Sequence, residues 1–241
     1  MDQAKIRLYV EQALRAGQAV ALTADQANYL FNVMRLARGA AVLLFNGRDG
    51  EWRATVAEAG KRGGVLLCDV QTAPLRLPPD IWLIFAPIKK TRTDFIVEKA
   101  VELGAARIVP TQTRHTNSER IRQDRLQAHA VEAAEQCGAC FVPEVSDLIP
   151  FTKLLATFPP DRKLLWCDET QAGQVTALSG PKGGKWAILI GPEGGFAVDE
   201  QARLRALPYV VPLSLGPRIL RADTAAVAAL TLWQASFGDW G

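Results

Sequence analysis

Histidine and cysteine are scarce in this chain of 241 residues, with two and four copies respectively. The cysteines, Cys68, Cys137, Cys140 and Cys167, are too few and too scattered for a disulfide framework. Cys137-Gly138-Ala139-Cys140 has the spacing of a redox dithiol or half a zinc site, yet only His115 and His129 offer imidazole and no second cysteine pair exists. The pair also follows a helical run over 125–136 instead of starting one, with Gly138 placed to end it. Small buried residues at a helix end are therefore expected, and no metal. No uncharged apolar run approaches the roughly 18 residues of a membrane span. The opening Met1-Asp2-Gln3-Ala4-Lys5-Ile6-Arg7 lacks a signal-peptide core, so a cytoplasmic protein without membrane association is expected. Charge excess is missing too: 28 Lys and Arg face 25 Asp and Glu, a formal net charge of +3. That excludes wrapping nucleic acid by bulk charge and leaves room for a local basic patch.

What is present is an ordinary globular composition, 49% hydrophobic and 22% charged, long enough for a substantial core. Strand-like runs over 42–45, 52–56 and 65–70 are separated by the turn signals Asn46-Gly47-Arg48-Asp49-Gly50 and Gly60-Lys61-Arg62-Gly63-Gly64. A helix start at Thr23-Ala24-Asp25-Gln26 continues with helical spacing to a stop at Gly39. This reads as a small β-barrel carrying one helix. Closely spaced prolines in Pro74-Leu75-Arg76-Leu77-Pro78-Pro79-Asp80 then mark a join, giving domains over 1–73 and 74–241. Beyond it, strands over 81–85, 107–110, 163–167, 185–190 and 209–213 alternate with helices over 94–103, 125–136, from 199, and over 225–237. Alternation of this kind predicts an α/β domain with a mostly parallel sheet covered on both faces.

Two segments carry the chemistry. Ile190-Gly191-Pro192-Glu193-Gly194-Gly195-Phe196 and Leu215-Gly216-Pro217-Arg218-Ile219-Leu220-Arg221-Ala222-Asp223-Thr224 each follow an apolar run and precede a helix. Both are therefore expected at the carboxyl ends of strands, where α/β sheets keep their ligands. The glycines would let backbone approach a ligand or take positive φ, though a tight turn without a ligand has the same signature. The order is neither GxGxxG nor a P-loop, which argues against a phosphate-bearing cofactor and leaves an adenosine cofactor without phosphates open. Asp223 or Thr224 can cap the last helix. Arg218 and Arg221, in an apolar stretch, need an anion or several acceptors.

GPEGGF followed by LGPRILRADTA resembles the RsmE family of ribosomal RNA methyltransferases, of the SPOUT class. The resemblance takes in Ala86-Pro87-Ile88-Lys89-Lys90, Glu98-Lys99-Ala100-Val101-Glu102-Leu103-Gly104, Glu135-Gln136-Cys137-Gly138 and Phe237-Gly238-Asp239. It implies a C-terminal SPOUT domain with a deep trefoil knot, an N-terminal PUA-like RNA-binding barrel and a homodimer packed through the knot domain. It implies S-adenosyl-L-methionine held largely by backbone at Ile190, Gly191, Pro192, Glu193, Gly194, Gly195, Leu215, Gly216, Ile219, Leu220 and Thr224, with Leu165 and its neighbours as a third wall. Its reaction is methylation of uridine N3 in small-subunit (16S) ribosomal RNA, within the 30S subunit. One departure is Asp223, where the family's signature leads to an expectation of Glu.

N3 of uridine carries an imide proton, so attack on a sulfonium methyl requires that proton to leave and negative charge to spread onto O2 and O4. Arg221 or Arg218 suits that electrostatic role and, being always protonated, neither suits the role of base. Glu193 is a candidate for steadying the sulfonium or helping the proton depart, with closure of its own loop as the competing role. Water or a carboxylate stays open as the base. For RNA, nine basic residues face five acidic ones between 85 and 125. Lys89, Lys90 and Arg92 are the favoured phosphate contacts, with Arg7 and Arg35 in the N-terminal unit. Tyr9, Phe31 and Trp52 read as core. A non-catalytic ribosome-assembly factor and a SPOUT ribose 2'-O methyltransferase are the contrasting readings.

Overall fold

The computed structural model describes residues 4–60, 62–117, 120–173, 178 and 182–240. The chain forms two compact units: the first runs to Leu77 and also takes in Ala134–Val142, and the second holds Pro78–Ala133 and Pro143 onward.

In the first unit, β1 (Arg7–Tyr9), β2 (Ala19–Ala21), β3 (Ala41–Phe45), β4 (Glu51–Gly60) and β5 (Gly63–Ala73) form one sheet in the order β1-β3-β4-β5-β2. β4 and β5 are much longer than the apolar runs that announced them, and their ladder bends through three register shifts. The curl brings both edges to one core, where Leu8 of β1 and Val20 of β2 cluster with Leu44, Val56 and Leu66. Phe31 and Trp52 pack on that core, and Tyr9 meets Phe45 edge to face. α1 (Ala24–Ala27) starts at a capping box formed by Thr23 and Gln26. The expected single helix does not continue regularly: Asn28–Val33 is π-helical and ends at exposed Arg35, whose φ of 57° is left-handed.

Arg7 was expected at RNA and lies elsewhere. Its Nε donates to Glu51 Oε2 at 2.8 Å, its Nη1 to Ala134 O at 2.6 Å and its Nη2 to Ala139 O at 2.9 Å. The guanidinium also lies 4.5 Å from the centre of the Phe45 ring. A planar fork with several donors suits this task of joining 134–142 to the sheet. Gly138, at φ +84°, ends the helical run as expected, but Cys137 is exposed, not buried.

The second unit contains β6 (Ile81–Phe85), α2 (Lys90–Glu102), β7 (Arg107–Gln112), α3 (Gln123–Cys137), whose last turn belongs to the first unit, β8 (Glu144–Val145) and β9 (Ile149–Pro150). α4 (Phe151–Thr157), β10 (Lys163–Cys167), β11 (Trp186–Ile190), α5 (Val198–Ala206), β12 (Val210–Leu213) and α6 (Ala222–Phe237) follow. The strands run β12-β10-β11-β6-β7-β8, with β9 also on β7, and every pairing is parallel. All five residues of β11 are buried, as a central strand covered on both faces requires. On one face Leu164, Trp166 and Leu189 share a core with Phe151 and Leu154 of α4 and Leu204 of α5. Elsewhere α6 packs on α2 and β11.

β10 sits between β11 and β12, so the chain crosses it and then returns. Two contacts fasten the returning segment to the connection between β10 and β11: Gly173 N donates to Gly216 O at 3.0 Å, and Gly183 N donates to Phe237 O at 2.9 Å. Residues 174–177 and 179–181 of that connection, where the family resemblance implies the knot, lie outside the described residues.

Replacing Arg7 by Ala leaves the part-buried Glu51 carboxylate with Thr72 Oγ1 and no cation among the described residues, and removes the donors to the carbonyls of Ala134 and Ala139. Urea denaturation is expected to show a loss of about 2–4 kcal/mol. An unchanged midpoint would return Arg7 to the pool of free surface cations.

Candidate active site

The carboxyl ends of β10, β11 and β12 enclose a cavity of about 490 Å³. β11 contributes Ile190, Gly191, Pro192, Glu193, Gly195 and Phe196. β12 contributes Leu213, Leu215, Gly216, Arg218, Ile219, Leu220 and Arg221. The third wall comes from β10, through Trp166, Cys167, Asp168 and Glu169. Leu165, expected in that wall, is fully buried and is not among the residues that line the cavity.

Close packing explains the glycines after β11. A Cβ on Gly191 would lie 2.7 Å from the Phe196 ring, and one on Gly195, at φ +68°, would collide with the Glu169 carboxylate. Phe196 is itself locked against Phe151 and the edge of Trp166. Gly194, by contrast, does not line the cavity: its Cβ position faces His115 at 3.3 Å. His115 Nδ1 lies 3.0 Å from Gly195 O and 3.2 Å from Gly194 O, so the ring holds this loop. Sequence reasoning missed His115, for nothing local distinguishes Thr113-Arg114-His115-Thr116 from any polar turn.

The last helix begins one turn earlier than expected, with Arg221 as its N-cap and no side-chain cap bond. Asp223 therefore sits inside the first turn. Its Oδ2 takes the Arg92 guanidinium, while Oδ1 accepts from Thr224 N at 2.9 Å. Asp223 thus meets the expectation of a role at the helix start through the Thr224 N–H, and the bond to Arg92 is an addition that spacing did not predict. That bond corrects the picture of Arg92 as a free phosphate contact, because the pair holds Arg92 at the cavity edge. Thr224 is exposed and outside the cavity lining.

Arg218, Arg221 and Glu193 are exposed residues that line the cavity. The two arginines form no ion pair among the described residues, and Glu193 makes no hydrogen bond closing its loop there. Asp168 is buried and accepts from Thr170 N and Oγ1 and from Arg205 at 3.5 Å. Most other cations of the 85–125 stretch are occupied locally: Lys99 by Glu102, Arg107 by Glu144, Arg114 by Asp199, Arg122 by Asp124 and Arg125 by Asp94. Lys89 and Lys90 remain exposed at the start of α2. Burial pushes the Cys167 thiol up to about 12, so this cavity sulfur stays protonated at neutral pH.

An RNA methyltransferase domain model matches residues 75–234, and an RNA methyltransferase PUA domain model matches 22–66. The ribosomal RNA small subunit methyltransferase E of Synechocystis is 30% identical over 233 residues, covering 91% of this chain and 73% of its own. That of Rickettsia conorii is 28% identical over 228 residues, 93% of each chain. A crystal structure of the Neisseria gonorrhoeae enzyme of that name, bound to S-adenosyl methionine, superposes with a TM-score of 0.89 at 28% identity, over 98% of this chain and 99% of the other.

Treated with iodoacetamide from about pH 7 to about pH 9, exposed Cys137 is expected to be alkylated and Cys167 to stay free, as read by peptide mass mapping. Modification of Cys167 in that range would mean that its thiol ionises well below about 12.

Proposed function

Because the chain belongs to the ribosomal RNA small subunit methyltransferase E family, we propose that it transfers a methyl group from S-adenosyl-L-methionine to N3 of a uridine in 16S ribosomal RNA. The observation that carries this reading is the three-walled cavity at the ends of β10, β11 and β12. Its donor set suits that cofactor. The backbone of 190–195 and 215–220 is available for close approach, and Asp168, Glu169 and Glu193 offer carboxylates to a cationic ligand. Arg218 and Arg221 are close by for a carboxylate or an anionic base.

When bound, the cofactor supplies an electrophilic methyl on a sulfonium. The protein must then favour the uracil that has lost its N3 proton, whose charge rests on O2 and O4. Arg218 and Arg221 hold permanent positive charge at the mouth of the cavity and stabilise that anion. Asp223 acts through Arg92, which it orients along the same edge. The shorter carboxylate is sufficient here because its partner reaches it from α2.

The remaining assignments belong to the same reading. Lys89, Lys90 and Arg35 are exposed cations placed to hold RNA phosphates. A homodimer is supported by the exposed apolar side chains Phe95 on α2 and Leu232 on α6. The substrate is the rRNA as presented by the 30S subunit, in the cytoplasm. No helix among the described residues is long and apolar enough to cross a membrane.

Labelled S-adenosyl-L-methionine, small subunits lacking uridine N3 methylation and nucleoside mass spectrometry make the test. Formation of 3-methyluridine is expected, and a different methylated nucleoside would overturn the reaction. Gly195→Ala should weaken cofactor binding at least about tenfold by calorimetry, through backbone strain and the clash with Glu169. Arg221→Ala should slow transfer by about a hundredfold while cofactor affinity changes little; equal losses would make Arg221 a cofactor-binding residue.

A further inference from the structure

A second cavity, of about 220 Å³, opens beside the first and shares Lys89, Pro192 and Glu193 with it. Pro87, Ile88, Lys90, His115 and Asn117 complete its lining. We propose that this cavity receives the target uracil and that His115 Nε2 accepts the N3 proton. The proposal rests on the methyltransferase reading above and supplies the base that reading lacks.

The tautomer follows from the hydrogen bonds. Nδ1 of His115 faces the carbonyl oxygens of Gly194 and Gly195, which can only accept, so Nδ1 carries the hydrogen and donates. In a neutral imidazole the lone pair then lies on Nε2, which no hydrogen bond among the described residues engages. Imidazole is also the better matched base near neutrality, whereas a carboxylate is weaker toward an imide N–H. The same bonds tie the ring to the loop that walls the cofactor cavity, so base and methyl donor are positioned by one segment.

The other lining groups suit uracil. Pro87, Ile88 and Pro192 give apolar contact to the ring faces, and Lys89, Lys90 and the Asn117 amide can donate to O2 and O4. Cytosine presents an amino donor at C4 and an N3 without a proton, so it would leave these donors and the Nε2 acceptor mispaired. In the step itself, N3 passes its proton to Nε2, forming imidazolium. The N3 electron pair bonds to the methyl carbon as the carbon–sulfur bond breaks, its electrons remaining on sulfur as a neutral thioether. Imidazolium afterwards releases the proton to water.

The charged groups around His115 are Lys89 and Lys90 from the start of α2, Glu193 from the glycine loop, and its neighbour Arg114. Arg114 pairs with Asp199 through its side chain and with Glu200 through its backbone N–H, both on α5.

Single-turnover transfer to small subunits, followed from about pH 5.5 to about pH 8, tests the assignment. The wild-type rate should rise with pH across this interval. His115→Asn keeps an N–H in place of Nδ1–H and lacks the base. Its cofactor affinity should stay within about threefold, its rate should fall by about a hundredfold or more, and the pH-dependent rise should vanish. Added imidazole should restore part of the rate of His115→Ala. A wild-type rate and pH profile in His115→Asn would overturn the proposal, as would parallel losses of rate and cofactor affinity, which would make the ring a loop support. Absence of 3-methyluridine with the wild-type protein would instead remove the methyltransferase reading and this proposal with it.

Discussion

The position of β10 between β11 and β12 is the constraint on which the rest of the catalytic unit depends. Parallel neighbours cannot be joined by a tight turn, so the chain leaving β11 must cross the sheet through α5 before it can lie beside β10 as β12. The loops after β11 and β12 then flank the end of β10, and three carboxyl termini converge where a simple β-α-β unit would supply two. Gly173 N donates to Gly216 O, so the loop carrying Arg218 and Arg221 is held as a wall of the site and not left as a surface flap. The strand order is, in this sense, a way of making a cavity from backbone.

Crowding has an electrostatic counterpart. Asp168, Glu169 and Glu193 share one cavity with Lys89, Arg92, Arg218 and Arg221, and the structure sorts these charges by partner. Asp168 is buried under Thr170 and Arg205, and Arg92 is held by Asp223. Arg218, Arg221 and Glu193 are exposed in the cavity lining, and the two arginines form no ion pair among the described residues. Permanently protonated guanidinium groups free of local carboxylates are what an anionic transition state requires, since a cation already neutralised has less to offer a developing charge.

The alternation of strand and helix, the glycine loop and the arginine loop were all legible because each rests on local chemistry: apolar runs of strand length, and glycines with prolines at their ends. Elements without such signals were not. β1 and β2 have three residues each, too few for a period of two to register. The π-helical turn at Asn28–Val33 has no distinct sequence pattern. Arg7 looked like a surface cation, because its acceptors are carbonyls and a carboxylate 44 to 132 residues away. An all-apolar run also concealed which residues of β10 reach the cavity, Trp166 and Cys167 and not Leu165. Asp223 was assigned to capping by spacing alone, and its partner on α2 could not have been inferred from spacing.

Pro192 and Glu193 belong to both cavities because the glycine loop is thin. A side chain at Gly191 would meet Phe196 and one at Gly195 would meet Glu169, so the loop stays narrow along the rim that the two spaces share. In-line methyl transfer needs donor and acceptor atoms close together with nothing interposed, and water kept out. Methyl donor and uracil therefore have to meet over that rim, and a mobile rim would admit solvent. His115 answers that difficulty: by donating to the carbonyls of the loop it stiffens a segment that glycine alone would leave loose. The glycines that make the wall thin therefore create the need for a side chain from outside the loop. A histidine meets that need with one nitrogen and leaves the other for chemistry.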